Sequence, residues 1–177
     1  MPTSTDAQLV ARCRAGEPEA WNELVERFSR YVHAICVQAF RLSPHDAEDV
    51  FQDVFARVYV NLDKLRSDDA VRPWIAQLTR RLCIDRLRAG RRESPAEVDD
   101  LDIANAEETM SAIDEAIAVR VGLDAVGDPC REILDRFFSR DESYRSIGDA
   151  LGLPAGTVAS RISRCLSKLR AELEGRS

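Results

Sequence analysis

Apolar residues recur at steps of three and four through nearly the whole chain, and no strand-like alternation runs for any length. A first short helix begins near Thr5, carries Leu9, Val10 and Cys13, and stops at Gly16. Pro18 opens a long helix at a position where its missing N–H costs nothing. Trp21, Leu24, Val25, Phe28, Val32, Ile35 and Ala39 then form a stripe suited to a bundle core. Ser43-Pro44 starts the next helix, with Ser43 as cap, Pro44 in the first turn, and Asp46 and Glu48 at the dipole's positive end. Its apolar face is Ala47, Val50, Phe51, Val54, Phe55, Val58 and Leu62. Beyond the polar loop 66–70, a fourth helix runs from about Arg72 to Arg88 on Trp74, Ile75, Leu78 and Leu82. Four such helices suffice for one small core.

The pattern then lapses. Residues 93–107 are mostly Ser, Pro, Ala, Asn and acids, with only Val98, Leu101 and Ile103 to bury, which reads as a linker and not a packed element. A helix resumes near Glu107 and ends around Gly127, Asp128-Pro129 caps another, Ser143 starts a short one, and a last helix runs from about Pro154 to Leu173. The expected fold is all-α: an N-terminal helical bundle over 1–92, an acidic linker over 93–128 that includes the start of the next domain's helix, and a C-terminal helix-turn-helix over 129–177.

Charge sharpens this division. The net charge of −6 argues at first against a nucleic-acid partner, but its distribution reverses that impression. Residues 1–92 hold 15 Lys/Arg and 13 Asp/Glu, residues 93–128 hold 1 and 11, and residues 129–177 hold 9 and 7. The acidity belongs to the central segment, and the flanking blocks can present basic faces. Cys13, Cys36, Cys83, Cys130 and Cys165 are scattered without a CxxC pair, and neither His33 nor His45 stands at a metal-ligand spacing from them. Four of the five lie on apolar helix faces, which reads as buried thiols in a reducing cytoplasm, with no metal or cofactor. No leader is expected from the polar start Pro2 to Asp6, and no apolar run approaches a membrane span.

The sharpest local signal is Tyr144-Arg-Ser-Ile-Gly-Asp-Ala-Leu-Gly-Leu-Pro-Ala-Gly-Thr-Val158, laid out as a helix-turn-helix. Ile147, Ala150 and Leu151 pin the first helix, a glycine permits the turn, and Val158, Ile162, Leu166 and Leu169 seat the second. The outer face of that second helix carries Ser160, Arg161, Ser163, Arg164, Ser167 and Lys168, short hydroxyls and long cations able to reach base edges and phosphates. A second signal is the set Arg72, Arg80, Arg81, Arg86, Arg88, Arg91 and Arg92 against one acid, Asp85. A helix end complementing its own dipole explains only Arg88, Arg91 and Arg92, so the rest point to phosphate contact. A third is Asp49, Gln52 and Asp53 on one helical face, which suits a polar protein partner as well as plain exposure to water.

The order of these motifs resembles an extracytoplasmic-function, or group IV, sigma factor of the sigma-70 superfamily along nearly the whole chain. Leu9-Val-Ala-Arg-Cys-Arg-Ala-Gly-Glu-Pro-Glu-Ala-Trp21 looks like that family's opening segment. Asp46-Ala-Glu-Asp-Val-Phe-Gln-Asp-Val-Phe-Ala-Arg57 is similar to the helix that grips the polymerase clamp. Arg72-Pro-Trp-Ile-Ala-Gln-Leu-Thr-Arg-Arg-Leu-Cys-Ile-Asp-Arg-Leu-Arg88 resembles the segment that reads the minus-ten element. Gly156-Thr-Val-Ala-Ser-Arg-Ile-Ser-Arg164 looks like the minus-thirty-five recognition helix.

The resemblance implies a non-enzymatic initiation factor whose partners are core RNA polymerase, promoter DNA and an anti-sigma protein, with no membrane insertion. It assigns Asp49, Gln52 and Asp53 to the polymerase. The loop bearing Ser67, Asp68 and Asp69, together with Arg80, Arg81, Arg88, Arg91 and Arg92, goes to the minus-ten element. Thr157, Ser160, Arg161, Ser163, Arg164 and Lys168 go to the minus-thirty-five element. Residues 93–128 would thread toward the polymerase cleft and RNA exit path. Three positions depart from the pattern: arginine at 81 where asparagine is frequent, alanine at 159 where a basic residue is common, and proline at 73 where housekeeping relatives carry a melting aromatic. The rival readings are a sigma-like decoy that sequesters an anti-sigma protein without binding DNA, a stand-alone helix-turn-helix regulator, and an enzyme. The first has no use for the arginines, the second leaves the first domain without a task, and the third lacks a phosphate loop, a nucleophile–His pair or a ligand cluster.

Overall fold

The structure is a computed structural model that describes residues 4–92 and 100–175, the side chains of residues 91, 92, 100 and 101 excepted. The described residues form helices and turns only: α1 (Asp6–Arg14), α2 (Pro18–Ala34), α3 (Pro44–Asn61), α4 (Val71–Arg92), α5 (Asp100–Val126), α6 (Asp128–Leu134), α7 (Tyr144–Leu151) and α8 (Ala155–Glu174). They divide into two compact units, Met1–Ile113 and Asp114–Ser177.

In the first unit the expected caps do their work. Thr5 and Gln8 close a reciprocal capping box on α1, and the Ser43 hydroxyl accepts from the Asp46 N–H to start α3. Leu9, Leu24, Phe28, Ile35, Val54, Leu62 and Ile75 are fully buried, each worth about 1.5–3 kcal/mol over exposure. The buried Thr79 hydroxyl, a polar group that would be costly unpaired, donates to the Ile75 carbonyl at 2.7 Å.

The stretch expected to be unpacked up to residue 107 is helical from Asp100 onward. Ala106 and Met110 are 1% and 7% exposed, and Glu107 takes Arg80 of α4 in an ion pair. Apolar burial at widely spaced positions, with acids between, leaves little amphipathic signal for a sequence pattern to show. Residues 93–99, the remainder of the expected linker, lie outside the described residues.

The second unit closes its core with Cys130, Ile133, Leu134, Ile147, Val158, Ile162 and Cys165. Here the thiol reading needs correcting. Cys130 and Cys165 are joined as a disulfide between α6 and α8, while Cys13, Cys36 and Cys83 are free and buried. The spacing gives no hint because the pair is 35 residues apart in sequence. Closing a loop of that separation stabilises by about 4 kcal/mol on chain entropy.

The same turn is built twice. A π-helical segment ends α2 at Ile35–Ala39, and another ends α6 at Asp135–Ser139. Each is followed by a left-handed residue, Arg41 at φ 51° and Asp141 at φ 52°, and each hands over to a serine cap, Ser43 or Ser143. Side chains anchor the two turns differently. Phe40 and Leu42 are buried in the first, whereas Arg136 holds Glu142 at 3.2 Å in the second.

Candidate nucleic-acid interface

The seat of α8 comes from a close approach of backbones. Gly152 caps α7 in the left-handed region at φ 67°, and the Leu153 N–H donates to the Gly148 carbonyl at 2.8 Å. A Cβ on Gly148 would stand 2.4 Å from the Leu153 carbonyl oxygen. Only glycine fits there, so the four-residue step between Gly148 and Gly152 is a signal that sequence reading, which credited one glycine, missed half of.

Val158, Ile162 and Cys165 then turn inward. The opposite side of α8 presents Ser160, Arg161, Ser163, Arg164, Ser167 and Lys168, all exposed, with Thr157 half-buried at the start. Arg161, Arg164 and Lys168 follow steps of three and four and form one cationic stripe. The Ser160 hydroxyl donates to the Thr157 carbonyl at 3.0 Å and that of Ser167 to Ser163 at 3.1 Å, leaving both oxygens lone pairs for accepting. Ala159 is half-buried.

On α4 the arginines divide. Arg72 lies over the rings of Phe28 and Tyr31 at 5.0 and 5.2 Å and reaches Asp6 at 3.3 Å, which makes it a clasp for α1 and α2. Arg80 is paired with Glu107. Arg86 bridges to α3, its Nε donating to Asp46 and an Nη to Asp49, each at 2.7 Å. Arg86 and the Ser43 hydroxyl hold the Asp46 carboxyl below its ordinary range, and Asp46 in turn raises Arg86. Arg81 and Arg88 are exposed in line with Gln77 and Asp85, and Pro73 is exposed near the helix start. The side chains of Arg91 and Arg92 lie outside the described residues.

The loop before α4 has an organiser that sequence reading did not single out. Arg14 of α1 donates to the Leu62 and Leu65 carbonyls at 3.2 and 2.7 Å and pairs with Asp68 at 2.9 Å. Asp68 is therefore held inward, while Ser67 and Asp69 are exposed. The contact spans more than fifty residues of sequence, so no local pattern could reveal it.

The acidic trio on α3 also splits. Gln52 and Asp53 are exposed with Glu48, and Asp49 is engaged by Arg86 and by His45 at 3.6 Å. Among the described residues there is no group of three or more His, Cys, Asp and Glu placed to hold a metal ion, and no helix is long and apolar enough to cross a membrane.

Two family patterns match the chain in this order: Sigma-70 region 2 over residues 24–93 and Sigma-70, region 4 over residues 123–171. An ECF RNA polymerase sigma factor SigM of Mycobacterium tuberculosis is 28% identical over 165 residues, which cover 93% of this chain and 83% of that protein. The ECF RNA polymerase sigma-E factor of Escherichia coli is 29% identical over 174 residues, covering 90% of each. Among solved structures, CnrH in complex with the cytosolic domain of CnrY aligns over 97% of this chain and 99% of its own, at 23% identity and a TM-score of 0.43.

Proposed function

The chain belongs to the extracytoplasmic-function group of the sigma-70 family, and from that premise we propose how its surfaces divide the work of a promoter-directing transcription initiation factor. Sigma factors of this family bind RNA polymerase and promoter DNA. The assignment of each task to residues is our own reading.

The observation that carries it is the α8 stripe. Arg161, Arg164 and Lys168 stand exposed on a helix seated by a tight two-glycine turn, which is how a recognition helix enters the major groove. Ser160, Arg161 and Arg164, on the helix's first turns, take base edges of the minus-thirty-five element, with Thr157 and Ser163 beside them. Lys168, further along, takes phosphate. On the first unit, Arg81 and Arg88 face the minus-ten element, joined by Arg91 and Arg92 on the same helix. Ser67 and Asp69 border the base pocket, and Asp68 acts behind them through Arg14. Arg80 joins this face once Glu107 releases it. Gln52 and Asp53 meet the polymerase clamp, while Asp49 both supports α4 through Arg86 and lies at the edge of that contact.

The division into 1–92, 93–128 and 129–177 is kept as a functional proposal; the family match at 24–93 supports its first block, while the match at 123–171 begins within its second. On the strength of the same resemblance we also propose an anti-sigma protein as a regulatory partner and the cytoplasm as the place of work. The decoy reading is not favoured, because sequestering a protein needs no cationic stripe.

Run-off transcription with purified core polymerase over a promoter library tests the reading. The complex should survive heparin and give specific transcripts. Failure to co-elute with polymerase, with no promoter-specific transcript, would favour the decoy.

A further inference from the structure

The disulfide in the second unit has no part in any task described so far. It joins Cys130 of α6 to Cys165 of α8, and Cys165 directly follows Arg164 on the opposite, inner side of the helix. The bond therefore fastens the back of α8 at the level of its outward arginines. The bridge is part of the core, with Cys130 and Cys165 6% and 7% exposed; Cys13 is comparable at 4%, and Cys36 and Cys83, whose sulfurs approach to 3.8 Å in the first unit, are sealed at 0%. Where polymerase and DNA are found, thiols are kept reduced and a bridge is ordinarily transient and responsive to redox state.

We propose that Cys130–Cys165 is a reversible oxidation site that latches the recognition helix. Closed, it holds α8 against α6 and presents Arg161 and Arg164 as a rigid face. Opened, it loosens that seat and weakens binding of upstream DNA. The DNA part rests on the reading of α8 given above.

The chemistry balances with ordinary cellular reagents. A thiolate of a dithiol reductant attacks one sulfur of the bridge, the S–S bond breaks, and the departing cysteine sulfur takes the electron pair and a proton. The reductant's second thiol resolves the mixed disulfide, leaving two cysteine thiols and an oxidised reductant. A hydroperoxide closes the latch. One cysteine thiolate takes the terminal peroxide oxygen, the O–O bond breaks, and the leaving oxygen takes a proton to depart as an alcohol, or as water when the oxidant is hydrogen peroxide. The second thiol then displaces water from the sulfenic acid, so two electrons and two protons pass from the pair to the peroxide.

The full chain is equilibrated with dithiothreitol or with hydrogen peroxide and followed by differential alkylation, amide exchange and binding of a labelled promoter duplex. Reduction should make Cys130 and Cys165 newly alkylatable, with Cys13, Cys36 and Cys83 reading as thiols in both states. Amide exchange across α8 should rise at least tenfold, as a helix that has lost a tether opens more readily, and duplex affinity should fall roughly fivefold, a coupling of ordinary size. A Cys130→Ala, Cys165→Ala variant should match the reduced protein and ignore the reductant, while the measurements on the unaltered chain stand without it. Identical α8 exchange in the two states overturns the latch. If exchange responds but the duplex is bound in neither state, the latch stands and the DNA-contacting role of α8 falls.

Discussion

Helices α4 and α8 are both rich in arginine, yet they use it in opposite ways. On α8 the cations Arg161, Arg164 and Lys168 are exposed. On α4, Arg72 clasps Phe28, Tyr31 and Asp6, Arg80 holds Glu107, and Arg86 ties Asp46 and Asp49. Only Arg81 and Arg88 remain exposed among that helix's described arginines. A count of charges along a helix thus overstates the face it offers to DNA, because position on the helix and distant acids decide which cations stay available. On the proposed assignment the two helices would meet DNA by different routes. The α8 stripe stands ready, whereas part of the α4 set must exchange an internal carboxylate for a phosphate.

The largest effect that tests this contrast lies under α8. A Cβ at position 148 would collide with the Leu153 backbone oxygen, which cannot yield as a flexible side chain could. Gly148→Ala should destabilise the second unit by about 3 kcal/mol or more, in the range of severe overpacking, and abolish upstream binding. Differential scanning calorimetry would show the loss confined to one transition. A fall of both transitions together would mean that the helix-turn-helix does not melt as its own unit.

Next comes a double dissociation on α4. Arg72→Ala removes two ring contacts and a carboxylate partner, so it should cost about 2 kcal/mol of stability. Arg81→Ala, at an exposed position, should stay within about 0.5 kcal/mol while weakening minus-ten binding. Equal melting temperatures for the two variants would break the division drawn here between clasp and contact.

A smaller effect concerns the Arg86 bridge, whose partners are more than a third exposed, so solvent screening keeps its contribution small. Arg86 lowers the Asp46 carboxyl, so the folded state favours the ionised form. The associated stability is present at neutral pH and down to the ordinary aspartate range, and is lost as pH falls below it. Urea titrations of wild type and Arg86→Ala should differ at neutral pH and converge in acid. A constant difference at all pH values would assign the effect to packing of the arginine's stem.

Much of this architecture is legible in the sequence because it is local. Thr5, Ser43 and Ser143 announce helix starts, and Val158, Ile162 and Leu169 announce the inner seam of α8. What escapes is non-local. The partners of Arg72, Arg80 and Arg86 lie 66, 27 and 40 residues away, the disulfide joins positions 35 apart, and α5 begins at Asp100 because its burial is decided by the first unit and not by its own period. The two π-helical turns escape for another reason. One inserted residue leaves the three-and-four spacing on either side intact, so the apolar pattern continues across the turn unmarked.

The central claim is that α8 reads sequence with its first turns and grips phosphate further along. It is tested most directly by the affinity of the polymerase-bound chain for upstream-element variants at several salt concentrations. Arg164→Ala should relax preference at one base pair, with about 1–3 kcal/mol of discrimination lost. Lys168→Ala should weaken all sequences alike and flatten the salt dependence by about one unit of slope. If Arg164→Ala instead scales every sequence equally, that arginine is a phosphate anchor and α8 does not read DNA through this face.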